Sequence, residues 1–293
     1  MTHRLLCFGL GYSAGYFAER LQRRGFAIVG TCRKAESAAA LGDAGIEPLA
    51  FDGQRPLAAD ALRGITHVLS SIPPDRDGDP AWRAHRDWLD VHARDLAWIG
   101  YLSTTGVYGD AKGGWVDETS PLVPSSERSR WRVVAEQQWL GLWQRHGAPV
   151  HIFRLPGIYG PGRSAIDQVR AGTARRIDKP GQVFSRIHVE DIAATLEASI
   201  DRPRGGAIYN VADDEPAPNA DVVAHAFELL GKPIPPAIAY DEIAPTMSPM
   251  ARSFYADSRR VRNALIKREL GVRLAYPTYR DGLRAIHIAG RAR

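Results

Sequence analysis

Short apolar runs, most of them continuous rather than alternating, alternate with helical patterns along the first half of the chain: LLCFG precedes SAGYFAERLQRRG, then come FAIVGTCR, a helix, IEPLAFD, a helix, THVLSSIP, a long helix, WIGYLSTT, a helix and VHIFRLPG. A strand with one wet face alternates apolar and polar residues, whereas a strand covered on both faces is apolar along its length. Such strands, each separated from the next by a helix, pair in parallel, because a parallel partner needs a crossover long enough to hold one. The sequence therefore predicts an α/β fold built on a doubly wound parallel sheet.

After about residue 160 the rhythm breaks. IHVEDIAATLEASI reads as a helix and AIYNVAD as one further strand, while EPAPN and GKPIPPAIAYDEIAP place Pro-rich connections between the remaining helices. A chain of 293 residues with 44% hydrophobic content can bury one large core or two unequal ones. The expected division is a sheet domain over 1–165 and 186–212, with a smaller, interleaved substrate lobe over 166–185 and 213–293. The crevice between them, at the strand ends, is where a ligand is expected.

The 38 basic and 33 acidic residues are scattered, so a net charge of +5 arises without a block of like charges. No helix-turn-helix, zinc-finger or RNA-binding signature accompanies it, and no nucleic-acid partner is expected. Cys7 and Cys32 both lie in apolar strand runs, which suits a reducing cytoplasm better than a disulfide framework. MTHRLLCFGLGYSAGYFAERL is too short and Gly-rich for a membrane span and lacks a cleavage pattern, so neither export nor membrane attachment is expected. The spacing of His85 and His92, seven apart on one expected helix, does not make a metal pair, and no metal is assigned. PPDRDGDPAW reads as a mobile loop, and ESAAALGDAG as a short helix opening at Ser37.

LLCFGLGYSAGYFAERL sets Gly9, Gly11 and Ala14 in a G-x-G-x-x-A pattern between the first strand and the first helix. Glycines there permit a tight turn and close approach to a pyrophosphate, which the helix N-terminus, with Tyr12 and Ser13, favours electrostatically. In this place the pattern reads as the dinucleotide turn of a Rossmann domain, the alternative being a merely structural glycine turn. The second strand ends VGTCRKAES: no acid precedes Glu36, while Cys32, Arg33 and Lys34 stand where a 2′-phosphate would lie. NADP is therefore favoured over NAD, the alternative being that these are loop cations without a ligand. By position, Asp52 is assigned to the adenine, and Ser70, Ser71 and Ile72 to the backbone passing beside the dinucleotide.

YLSTTGVYGD, then DETSP, a helix carrying AE, FRLPGIYGPGR, IHVEDIA and YNVADDEP resemble, in this order, the motifs of the extended short-chain dehydrogenase/reductases, the NAD-dependent epimerase/dehydratase family. The resemblance implies that Thr104, four residues before Tyr108, holds the substrate oxygen. It also implies that Pro156, Ile158 and Tyr159 lie beside the nicotinamide and that His188 stands near the substrate. The family's Tyr-x-x-x-Lys pair is absent: counting back from Glu136 puts Arg132 at the Lys position and Arg128 at the Tyr position. Guanidinium stays protonated and cannot act as the Tyr does. Arg132 is expected to bond the nicotinamide ribose and Arg128 to clamp an anion. At 100° per residue both share a sector with Trp131, Ala135, Trp139 and Trp143, while Arg130 points away; the alternative is that they run along the apolar stripe to water.

The acid–base group must then be sought among Thr104, Tyr108, Tyr159 and His188, the last because histidine titrates near neutrality. The function expected is an NADP-dependent oxidoreductase or epimerase-type enzyme acting on a small polar or sugar-derived substrate. The alternative is a non-catalytic NAD(P)-binding sensor or regulator. A homodimer is an expectation drawn from the resemblance.

Overall fold

A computed structural model describes residues 3–291. Among them, seven parallel strands form the central sheet: β1 (Arg4–Phe8), β2 (Ala27–Cys32), β3 (Glu47–Ala50), β4 (His67–Ser70), β5 (Trp98–Thr104), β6 (Val150–Leu155) and β7 (Ala207–Asn210). Their order across the sheet is β3-β2-β1-β4-β5-β6-β7. Leu6 of β1 faces Val29 of β2 on one side and Val68 of β4 on the other. The strand order reverses at β1, so the crevice outside the carboxyl ends of β1 and β4 is the topological switch point.

The apolar runs are buried on both faces. One face packs Leu5, Cys7, Trp98 and Phe153 against α1 (Tyr12–Arg23) and, later in the chain, Val189–Asp201. The other packs Leu6, Phe8, Ile99 and Tyr101 against Leu89, Trp139 and Leu142 of the opposite helices. β3 is the edge: it carries Pro48, which cannot donate to a ladder, and its residues are largely exposed.

Three local expectations are corrected. α2 spans Ala35–Asp43 with Lys34 as its N-cap, two residues ahead of the predicted start at Ser37. The single helix expected between β4 and β5 is two, α3 (Pro80–Ala84) and α4 (Arg86–His92), broken at His85. The His85 ring packs on Phe8 and Phe51 and accepts the Leu57 N–H (2.9 Å), which sets the break. The PPDRDGDPAW segment, read as mobile, is pinned by fully buried Asp79, which caps α3 and accepts from Ser70 Oγ (2.6 Å) and Trp139 Nε1 (2.7 Å).

α5 (Glu127–His146) starts at the N-cap Ser126 and stops at Gly147, which adopts the left-handed conformation. Beyond β6 come α6 (Ala165–Arg170), α7 (Val189–Asp201) and α8 (Asn219–Leu229). α6, α8 and the helix Tyr279–Ala289 enclose a separate small core containing Tyr159, Ile166, Val169, Val222, Leu283 and Ile286. The short strand Arg186–His188 pairs in parallel with Gly157–Tyr159, so chain from both sides of α6 enters this region.

Candidate active site

The turn after β1 fits a dinucleotide on its own geometry. Gly9 has φ +79°, and a Cβ there would lie 2.5 Å from Ile72 Cγ2. Its N–H donates to Thr31 Oγ1 (2.8 Å), which ties the turn to β2. Gly11 is the N-cap of α1, with no side-chain cap, no acid in the first turn and no atom within 4 Å of where its Cβ would be. The N–H groups at the start of that turn have no intrahelical acceptor, which is what a pyrophosphate requires. Ser13 and Ala14 are buried, Ala14 within the sheet-facing core. Tyr12 is held elsewhere: its hydroxyl donates to Pro161 O (3.0 Å) and Arg163 stacks on its ring.

At the end of β2, Cys32 is half-buried, while Arg33 and Lys34 are exposed and form no ion pair or side-chain hydrogen bond among the described residues. Asp52 is exposed and accepts the N–H groups of Gln54 (2.8 Å) and Arg55 (3.3 Å), which hold its pKa down. Ser70 is wholly buried with its hydroxyl on Asp79, so only its backbone lies toward the crevice edge. Ser71 Oγ donates to Gly9 O, and Ile72 is the residue that closes on Gly9.

Thr104 ends β5 and caps the turn that follows, accepting the Gly106 N–H (3.1 Å). Arg132 is half-buried; its Nη1 donates to Leu102 O (2.6 Å) and Tyr101 Oη (3.2 Å) beside that strand end. Arg128 is exposed in the first turn of α5, and no hydrogen bond or ion pair holds its guanidinium among the described residues. The inward sector expected for Arg128 is thus corrected: Ala135, Glu136, Trp139 and Leu142 are the buried face, and even Trp143 is 38% exposed. α5 packs against the Thr105–Tyr108 turn as well as against β5 and β6, and its buried residues begin only at Ala135.

Tyr108 belongs to a buried network. Its hydroxyl donates to Asn210 Oδ1 (2.7 Å) and accepts from Arg154 Nη1 (2.9 Å). Arg154 in turn pairs with Glu136 (2.7 Å), which also accepts from Ser103 Oγ (2.5 Å). Burial raises the Tyr108 pKa against the opposing pull of Arg154. Pro156 and Ile158 are half-buried on the segment leaving β6, and Tyr159 is buried with its hydroxyl donating to Thr278 O (3.3 Å). His188 is buried between Tyr276 and Tyr159, accepts the Glu190 N–H (3.3 Å) as the N-cap of α7, and is pushed down to about 4 by burial. The expectation that it titrates near neutrality is corrected: desolvation disfavours the imidazolium.

Gly9, Arg33, Ser71 and Pro156 directly follow parallel strands and Thr104 ends one, so all lie along the carboxyl-terminal edge of the sheet. Arg132 joins them from α5. Thr31, Asp79, Glu136 and Arg154 support this edge from behind and were not singled out for that role by the sequence. Each has its partner far along the chain, as Trp139 and Asp79 do; the only local signal was a polar residue inside an apolar run.

A glycine turn leading from β1 into α1, at the point where a parallel sheet reverses order, defines a protein of the Rossmann class. Residues 83–212 match the NAD dependent epimerase/dehydratase family. The chain is 30% identical over 221 residues to protein YeeZ of Escherichia coli strain K12, covering 72% of this chain and 78% of that one. A functionally unknown conserved protein from Silicibacter pomeroyi DSS has a solved structure with a TM-score of 0.90 and 52% identity, over 99% of both chains. A dTDP-glucose 4,6-dehydratase from Bacillus anthracis, solved in complex with NAD, shares the fold at TM-score 0.76 and 17% identity, over 99% of this chain and 97% of its own. The chain belongs to the NAD-dependent epimerase/dehydratase family, within the extended short-chain dehydrogenase/reductases.

Proposed function

We propose that the protein is an NADP-dependent oxidoreductase or epimerase-type enzyme acting on a small polar, sugar-derived substrate. The observation that carries the cofactor choice is the pair Arg33 and Lys34, exposed just beyond β2 with no anionic partner among the described residues. A ribose diol calls for a carboxylate at this strand end, a 2′-phosphate for a guanidinium. Gly9, Gly11, Ser13 and the first turn of α1 would hold the pyrophosphate, and Asp52, Ser71 and Ile72 the adenosine side. When bound, the nicotinamide supplies or takes the hydride. Thr104 then offers its hydroxyl to the substrate oxygen, Arg132 holds the ribose, and Arg128, at the solvent side, receives an anionic group. A cytoplasmic location and a homodimer belong to the same reading, the dimer being checked by sedimentation.

The test is a fluorescence titration with NADPH and NADH. Arg33→Ala should weaken NADPH binding by roughly ten-fold while leaving NADH unaffected, because it removes a charge-assisted bond to a phosphate only one of them has. Equal loss for both, or no loss, would remove the NADP reading.

A second reading, a non-catalytic dinucleotide-binding sensor, is favoured by one observation: Tyr108 and His188 are both engaged in structural hydrogen bonds away from a free proton-donating role. It predicts NADPH binding without oxidation across a panel of carbonyl substrates.

A further inference from the structure

The Tyr108 hydroxyl is bound to Asn210 and the His188 ring caps α7, so neither is placed to hand a proton to a substrate. Arg128 and Arg132 keep their protons under any working condition. A reaction at Thr104 that needs a proton must draw it from another group. The end of β5 offers one. The chain turns there through Thr105–Tyr108, and α5 packs on that turn, which brings Ser129 over Gly106. A Cβ on Gly106 would lie 2.8 Å from Ser129 Oγ and 3.4 Å from Thr104 Oγ1, so the missing side chain is what lets the two hydroxyls share one corner. Both residues are half-buried.

The hydrogen bonds at this corner are unequally used. Thr104 Oγ1 accepts the Gly106 N–H (3.1 Å), and Ser129 Oγ accepts from Ser126 Oγ (3.0 Å). A hydroxyl has one hydrogen to donate and lone pairs to receive with. Each of the two oxygens already receives a bond, while neither hydrogen has an acceptor among the described residues. Two O–H donors at one corner of a partly open strand end suit a ligand oxygen on which negative charge develops. Behind them Ser126, also half-buried, links the corner to the surface at the start of α5, so that a line of hydroxyls runs from water through Ser126 to Ser129.

We propose that Ser129 is a catalytic residue: with Thr104 it binds the carbonyl oxygen of the substrate, and it gives that oxygen its proton. As hydride from the reduced cofactor forms the new C–H bond, the carbonyl electron pair moves to oxygen and takes the Ser129 proton. Ser129 recovers a proton from Ser126, and Ser126 from water. The substrate carbonyl is reduced to an alcohol, the cofactor is oxidised, and in the opposite direction the same line carries the proton out. The proposal rests on the oxidoreductase reading and names the proton donor which that reading lacks.

The test follows NADPH oxidation by the full chain with glyceraldehyde, dihydroxyacetone, erythrose and glucuronate, for wild type, Ser129→Ala and Ser129→Thr. Ser129→Ala removes a single oxygen from a half-buried site, and urea denaturation verifies that the fold is kept. Its kcat should fall on the order of a hundred-fold, while NADPH affinity read by fluorescence stays unchanged. Ser129→Thr, which keeps the hydroxyl, should retain roughly a tenth of the wild-type kcat or more. If wild type turns over and Ser129→Ala keeps pace with it, the enzyme reading stands and the proposal alone falls. A loss as large in Ser129→Thr as in Ser129→Ala, or one accompanied by weaker NADPH binding, shows a structural role and also overturns it. If wild type binds NADPH and oxidises it with no member of the panel, the enzyme reading fails and takes the proposal with it.

Discussion

Gly9 meets two demands that no other residue satisfies together, a positive φ and a missing Cβ against Ile72. Gly9→Ala should destabilise the protein by roughly 1–3 kcal/mol and weaken dinucleotide binding in the same variant. Urea denaturation and the NADPH titration measure the two effects. Unchanged stability would mean that the turn relaxes at no cost. The positions of such residues were legible by counting from a strand: Gly9 and Gly11 fall in the turn after β1, and Arg33 and Lys34 just past β2. His188 shows the limit. Its identity and position could be read, but burial between two tyrosines could not, and burial decides its protonation.

At the level of elements, the Glu136–Arg154 pair fastens α5 to β6, and through Ser103, Tyr108 and Asn210 it reaches β5 and β7. Both partners are buried, so removing one strands the other's charge. Glu136→Ala should cost roughly 3–5 kcal/mol in urea denaturation, whereas Glu136→Leu combined with Arg154→Met should recover most of that loss. A double variant as unstable as the single one would show that the charge was not the problem. The strands and their order of appearance were readable from apolar runs alone. The inward face of α5 was not, because its apolar stripe is interrupted by Glu136 and extended by Trp143, whose ring lies over Gly205 and Gly206 at the surface. The periodicity averaged these into a face that included Arg128.

For the molecule as a whole, His67, His151 and His188 are all buried and each is pushed by desolvation from 6.5 to about 4. Between those values the unfolded chain binds protons that the folded one refuses. Their contribution is complete above pH 6.5 and is lost as pH falls toward 4. Asp79, Asp191 and Asp213, raised by burial, act in the opposite sense, since the folded state protonates first. His67→Phe isolates the histidine share: between pH 7 and pH 5 it should lose about 2 kcal/mol less stability than wild type. An equal pH slope in both proteins would show that His67 charges without unfolding. One long-range contact has a bearing on regulation. The Tyr12 hydroxyl donates to Pro161 O, and Arg163 lies on its ring, so the first turn of α1 is tied to the segment leading into α6. A ligand on one side that moved this contact would change the affinity for a ligand on the other, and the factor would be returned in full.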